Sequence, residues 1–359
     1  MANVFLVDLE PVETRYTGQW KSHVPELLRK AGHNVQILSG PTDIPSATTP
    51  GAFLNFGGTN IYKSLQVEGM GRLFCSGAIK PGDHFLFTDA WHPGIINLKY
   101  MSELLQIPVT IHALWHAGSY DPQDFLGRLI GDAKWVRHAE ISFFSAIDHN
   151  YFATQFHIQM FADVFADGAD WWIKEQLMTG KIVRSGWPME YLDETLSTFK
   201  DIIKEDIILF PHRIAPEKQL NIFKDLADAM PEYQWIVAQE HQLTKQQYHE
   251  LLGRSRIVFS ANLQETLGIS CYEALCVNAF PMVPNRLSYT EMYPSVFKYD
   301  SRWTESFDSY LNYKDRMIEY IRKTMNEMKG QGHLESIVQS KNIIKNNFFT
   351  ASAILGNIK

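Results

Sequence analysis

Ser260-Ala-Asn-Leu-Gln-Glu265-Thr-Leu-Gly268-Ile-Ser-Cys-Tyr-Glu273-Ala-Leu-Cys276-Val-Asn-Ala-Phe-Pro281 sets the reading of this 359-residue chain. Just upstream, Arg256-Ile-Val-Phe-Ser260 is apolar and rich in β-branched residues, which predicts a strand. Ala274-Leu-Cys276 predicts a helix. The order is therefore strand, short loop with Glu265, then a helix that opens near Gly268 and carries Glu273 in its second turn. A helix start offers free N–H groups and a positive dipole end, which suit a phosphate or diphosphate. Gly268 lets backbone approach such a ligand closely. Carboxylates suit sugar hydroxyls because they accept two hydrogen bonds at once. A nucleotide-sugar joins these chemistries: sugar near Glu265, diphosphate at the helix start, ribose near Glu273.

A second cluster lies some fifty residues upstream. Asp206-Ile-Ile-Leu-Phe-Pro211 predicts a strand that runs straight into His212-Arg213-Ile-Ala-Pro-Glu-Lys218. A bidentate guanidinium plus a compact ammonium suits a diphosphate that is gaining negative charge. Alone, a glutamate pair on a helix, or a turn with one Arg and one Lys, is ordinary surface chemistry.

The two clusters resemble the motifs of retaining glycosyltransferases of the E-x7-E group, the glycogen synthase and sucrose synthase type, which have the GT-B fold. That pattern reads E-G-F-G, then E-A; here it is Glu265-Thr266-Leu267-Gly268, then Glu273-Ala274. The upstream cluster resembles the group's G-R-L-x-P-E-K, with His212 in place of the first Gly. The resemblance implies an α/β chain: GT-B, two Rossmann-like doubly wound parallel-sheet domains facing across a cleft. It implies sugar transfer with retention from a nucleotide diphosphate donor, UDP being the usual one. Glu265 would hold the sugar, Glu273 the ribose, and Thr266, Leu267 and Gly268 the donor. Arg213 and Lys218 would neutralise the leaving diphosphate. No protein nucleophile is implied, no cofactor, and no metal; D-x-D is absent from the chain.

Composition is compatible. Hydrophobic residues make up 45%, enough for two cores, and 359 residues fit two domains. The expected boundaries are 1–185 for an acceptor-binding domain, 186–335 for the donor-binding domain, and 336–359 for a C-terminal helix crossing back to the first. Cys75, Cys271 and Cys276 lack C-x-x-C spacing, which fits a reducing compartment. The start has no basic segment ahead of an apolar run, and no run reaches membrane-span length, so the expected location is cytoplasmic. The formal charge is −7, and neither half is basic: 14 basic and 19 acidic residues in 1–190, 19 and 21 in the rest. That counts against broad nucleic-acid affinity. Nothing in the sequence gives the oligomeric state.

The first half opens as a βαβ unit: strand Val4–Asp8, an amphipathic helix from about Gln19 to Ala31 ended by Gly32, strand Asn34–Leu38. Its loop lacks G-x-G-x-x-G; Glu13, Arg15, Tyr16 and Gly18 are the residues the resemblance turns toward the cleft, Gly18 toward the donor. Pro41–Gly82 looks irregular, Gly-rich and locally basic, with Lys63, Arg72 and Lys80, and reads as a candidate acceptor excursion. Strand Ile107–Ile111 runs into His112 and His116, and the resemblance implies that one of the two lies beside the donor sugar. A helix from Asp121 towards Phe144, a strand at Asp148–Thr154 and structural anchors at Trp171 and Trp172 follow. Segments Asp8–Trp20 and Ala117–Phe125 look like those of phage-encoded glycosyltransferases, some of which modify hydroxymethylcytosine in DNA. The expected partners are thus a UDP-sugar and double-stranded DNA containing hydroxymethylcytosine. A glycan, lipid or small-molecule acceptor is the alternative. Beyond transferases, a GT-B sugar-nucleotide epimerase or a non-catalytic sugar-nucleotide binder fits the same motifs.

Overall fold

The computed structural model describes residues 1–12, 15–45, 54–330 and 332–359. Residues 1–189 with 350–359 form one compact unit, and 190–349 form another.

The first unit contains β1 (Asn3–Val7), α1 (Tyr16–Lys30), β2 (Asn34–Leu38), α2 (Phe56–Cys75), β3 (His84–Phe87), α3 (Gly94–Leu104), β4 (Thr110–Trp115), α4 (Phe125–Ile130), α5 (Lys134–Ala146), β5 (His149–Phe152), α6 (Gln155–Phe165), α7 (Asp170–Met178) and β6 (Ile182–Arg184). Its six strands are parallel, in the order β2-β1-β3-β4-β5-β6. Helices cover a parallel sheet on both faces, so its strands read as continuous apolar runs rather than as alternation. Val4-Phe-Leu-Val7 and Phe85-Leu-Phe87 are such runs, buried throughout. Each large side chain so buried is worth roughly 1.5–3 kcal/mol.

The second unit contains α8 (Tyr191–Ser197), β7 (Glu205–Phe210), α9 (Leu220–Ala229), β8 (Gln234–Val237), α10 (Lys245–Arg254), β9 (Ser255–Phe259), α11 (Ile269–Cys276), β10 (Phe280–Pro284), α12 (Tyr289–Met292), β11 (Lys298–Tyr299), α13 (Phe307–Lys329) and α14 (Leu334–Phe348). Its order, β11-β10-β9-β7-β8, repeats the winding of the first sheet, again all parallel. In each unit the second strand lies on one side of the first and the third on the other. The crevice beyond the strand ends at that reversal is where open α/β sheets bind ligands. It falls between β1 and β3 in one unit and between β7 and β9 in the other.

Several expectations are corrected. The boundary falls after Met189 rather than 185, and the returning segment is 350–359, not 336–359. Its helix is α15 (Ser352–Asn357). α14 stays in the second unit because its apolar face, Ile337, Ile344 and Phe348, is buried there, and Asp193 bridges Lys341 and Lys345 at 2.9 and 2.8 Å. Pro41–Gly82 is not irregular: α2 takes up twenty of its residues. Its glycines masked the helix. Asn55 caps it by accepting from Gly58 N–H at 2.8 Å, and a Cβ on Gly58 would collide with the Pro45 carbonyl. Gly51 lies outside the described residues. The helix towards Phe144 is two, α4 and α5, broken at Gly131-Asp132-Ala133. Trp171 is no anchor, being 69% exposed; Trp172 does pack on the core.

Candidate functional site

In the second unit, the residues after β7 and β9 converge. β7 delivers His212 and Arg213, and a 3-10 turn at Pro216–Lys218 brings Lys218 inward, buried. β9 delivers Ser260, Asn262 and Glu265. Lys218 Nζ lies 3.5 Å from Glu265 Oε2 and also donates to the Gln264 carbonyl. Asn262 Nδ2 donates to the same Oε2 at 3.1 Å, and Thr266 N–H to Oε1 at 3.2 Å. Burial pushes the Glu265 carboxyl up, but the Lys218 ammonium and the N–H groups of Gly268 and Leu267 outweigh it and hold it below the usual carboxylate range. Burial and the Lys218 charge drive His212 down to about 3, so its imidazole is neutral. Arg213 pairs with Glu217, a buried carboxylate one turn on.

α11 opens at Gly268, whose φ of +69° ends the loop in the left-handed region that favours glycine. Its first-turn N–H groups have no partner within the helix. Glu273, on the next turn, accepts from Tyr248 Oη at 3.0 Å. Burial lifts its carboxyl to about 7, against the pull of the Tyr248 hydroxyl and the Lys245 ammonium. Glu265, Thr266, Leu267, Gly268 and Lys218 thus gather around one helix start, with Glu273 a turn away, while Arg213 is held by Glu217. Leu267 contributes only backbone, since its side chain is core.

Asn262, Glu217, Tyr248 and Tyr289 belong to this region, and the motif reading missed them. Asn262 stands three before Glu265 in the quoted stretch, and Glu217 stands inside P-E-K, so both were within reach. Tyr248 and Tyr289 come from distant elements and carry no local signal.

In the first unit, Glu10, Lys63, Asp89 and His116 lie near the β1/β3 reversal. Lys63 Nζ donates to Asp89 Oδ2 at 2.7 Å and to the Trp91 carbonyl. Glu10 accepts from the Thr59 hydroxyl, and burial raises its carboxyl. His116 Nε2 lies 2.6 Å from the Thr88 carbonyl and Nδ1 2.6 Å from Tyr16 Oη. The carbonyl can only accept, so Nε2 carries the proton and Nδ1 accepts from Tyr16. Arg15 stands over the Tyr16 ring at 5.8 Å, and Gly18 sits in the first turn of α1. Glu13 lies outside the described residues.

Two expectations fail here. His112 lies inside β4, fully buried, with Nε2 2.9 Å from His84 Nδ1 and Nδ1 2.9 Å from Tyr151 Oη. Its side chain is committed to the core, which leaves His116 at the strand end. Lys63 supplies no exposed charge to the expected acceptor surface. Lys63 is buried in its pair, and Arg72 is exposed and paired with Glu68 one turn away at 2.6 Å. Lys80 is exposed beyond the end of α2. Among the described residues no three His, Cys, Asp or Glu side chains group as metal ligands, and no helix is long and apolar enough to cross a membrane.

No protein-family model matches the sequence, and neither does any curated protein. Solved structures do match its fold. The catalytic domain of starch synthase IV from Arabidopsis thaliana, bound to ADP and acarbose, matches at 11% identity and TM-score 0.56, over 99% of this chain and 97% of that one. A UDP-forming α,α-trehalose-phosphate synthase from Burkholderia vietnamiensis matches at 11% and 0.57, over 99% and 98%. Sucrose-phosphate synthase from Thermosynechococcus elongatus matches at 11% and 0.51, over 98% and 100%. The chain has the GT-B α/β fold.

Proposed function

We propose that this chain is a retaining glycosyltransferase that moves a sugar from a nucleotide diphosphate donor to a hydroxyl acceptor. The observation that carries the reading is the ionised Glu265, held beside Lys218 at the start of α11. A carboxylate accepts sugar hydroxyls there, while cations and helix N–H groups meet the diphosphate. As the bond from the anomeric carbon to phosphate oxygen breaks, charge grows on the diphosphate, and Lys218 and Arg213 stabilise it. The acceptor oxygen bonds to the same face of that carbon, and its proton passes to the leaving phosphate. No protein nucleophile enters this route. The starch synthase structure holds ADP and the trehalose-phosphate synthase is named UDP-forming, which supports a nucleoside diphosphate leaving group.

For the acceptor we favour a hydroxyl on a neutral glycan or small molecule over hydroxymethylcytosine in DNA. A DNA acceptor calls for a cationic surface along phosphates, and of the three cations expected to supply one, Lys63 is buried against Asp89 and Arg72 is paired with Glu68. Near the β1/β3 reversal Glu10 and Asp89 both act on Lys63, a balance that disfavours a polyanion.

The test is a transfer assay with mixed UDP- and ADP-sugars. Acceptors are a glycan and polyol panel, DNA with 5-hydroxymethylcytosine, and ordinary DNA, with products weighed by mass spectrometry. A sugar increment on a glycan or polyol supports this reading. An increment on the modified DNA alone restores the DNA acceptor. No increment, with no nucleotide raising the melting temperature, removes the donor assignment.

A further inference from the structure

α10 opens beside Glu273, and neither sequence motif points to it. A capping box fixes that opening: Thr244 Oγ1 accepts from Gln247 N–H at 3.2 Å, and the Gln247 side chain accepts from Thr244 N–H at 2.9 Å. Lys245 and Tyr248, three apart, therefore share one face of the first turns. Tyr248 donates to Glu273 Oε2 at 3.0 Å, and the Lys245 ammonium acts on the same carboxyl. One carboxylate oxygen is thereby committed and the other left open.

We propose that Tyr248 is a positioning residue: its hydroxyl holds Glu273 with Oε1 turned out to accept the ribose hydroxyls of the donor, and Lys245 supplies the neighbouring positive charge. The inference rests on the donor reading above and deepens it by making the start of α10 part of the nucleotide site. The titratable groups around this carboxyl are Lys245 and Tyr248 from α10 and Cys276 from its own helix. Burial raises Glu273 to about 7, and Tyr248 and Lys245 both oppose that rise. An ionised carboxylate is the better acceptor of hydroxyls, so donor affinity is full above this value and is lost as pH falls through it. Removing either opposing group moves the midpoint upward.

The experiment is calorimetric titration of UDP, ADP and GDP into the full chain from pH 6 to 9, for wild type, Tyr248→Phe, Lys245→Met and Glu273→Gln. The nucleotide's own phosphate titration is common to all four and cancels in the comparison. Wild type should lose affinity below about pH 7, by up to about tenfold per pH unit. Tyr248→Phe should bind severalfold more weakly at pH 7 and recover by pH 9. Lys245→Met should shift in the same direction, and Glu273→Gln should bind weakly with no midpoint of its own. In transfer, Tyr248→Phe should raise the donor KM and spare kcat. A Tyr248→Phe variant that keeps the wild-type midpoint, or loses affinity equally at every pH, overturns the proposal while the donor reading stands. Failure of wild type to bind any of the three nucleotides overturns both.

Discussion

Cε1 of Tyr289 occupies the space that a side chain on Gly268 would need: a Cβ built there stands 2.7 Å from it. Gly268 also has φ of +69°. Two independent constraints therefore act on one residue. Tyr289 in turn lies 3.1 Å from Ser260 Oγ and 3.2 Å from Asn262 Nδ2, which itself holds Glu265. Gly268→Ala should cost about 1–2 kcal/mol for the left-handed backbone and about 1–3 kcal/mol for overpacking. Nucleotide affinity should fall as well, because displacing Tyr289 disturbs the residues around Glu265. Thermal melting and UDP titration check both effects. A variant that melts and binds like wild type would remove the close-packing argument.

Glu265→Gln separates binding from transfer. The carboxylate balances the buried Lys218 at 3.5 Å, so its loss leaves more positive charge for a diphosphate. Affinity for UDP should hold or tighten, while transfer falls by about a hundredfold or more, the scale of one lost charged contact in a transition state. Glu265→Ala should do the same with a larger loss of melting temperature. Transfer that survives either substitution would show that Glu265 does not hold the sugar.

Lys63 tests whether the cations of the first unit bind acceptor or hold the fold. Its ammonium is buried against Asp89 at 2.7 Å, and removing one partner of such a pair costs about 3–5 kcal/mol. Lys63→Met should therefore lower the melting temperature markedly. Arg72→Ala and Lys80→Ala, both exposed, should change it little and leave acceptor KM unchanged. A rise in acceptor KM for the two exposed variants together would revive a cationic acceptor surface.

These contrasts also show what the sequence made legible. Glu265, Gly268, Glu273, Arg213 and Lys218 were readable because local chain order, strand then turn then helix, places them at one sheet edge. Parallel β-runs such as Phe85-Leu-Phe87 announced a doubly wound sheet by their unbroken apolarity. The residues that surround the motif were not readable. Tyr248 reaches Glu273 across 25 positions, and Tyr289 reaches Gly268 from a later helix. Contacts at such separations arise from packing and leave no periodic trace. His112 misled for a related reason: a polar residue next to a predicted strand end reads as functional until its neighbours on adjacent strands are known. α2 was hidden because helix propensity penalises the glycines that its packing requires.

Those neighbours give His112 its own prediction. A chain of polar side-chain contacts, His84 to His112 to Tyr151, runs across the strands of the first unit towards the returning segment. The Lys359 backbone acts on the His84 imidazole, and His84 Nδ1 lies 2.9 Å from His112 Nε2. His112 Nδ1 in turn lies 2.9 Å from Tyr151 Oη, and the Asn357 side chain acts on that hydroxyl. Where the two ring nitrogens face each other one must accept, so His84 and His112 cannot both be protonated while this contact is kept. His149 stacks on His112 at 4.9 Å, and Asp83 is the acid that acts on His84, offsetting part of the burial. Burial, with the neighbouring histidines, holds both imidazoles below their usual value. Unfolded or detached chain takes up protons near pH 6.5 where the native chain does not, so stability falls as pH drops below that value. Each histidine contributes up to about 1.4 kcal/mol per pH unit. Amide exchange of residues 352–358, corrected for intrinsic rates, should therefore accelerate between pH 7.5 and 5.5 ahead of β1. His112→Leu should flatten that dependence even though it weakens the segment at pH 7.5. Protection that is unchanged by pH, or lost only in step with β1, would show that the histidine chain does not govern how the segment 350–359 is held.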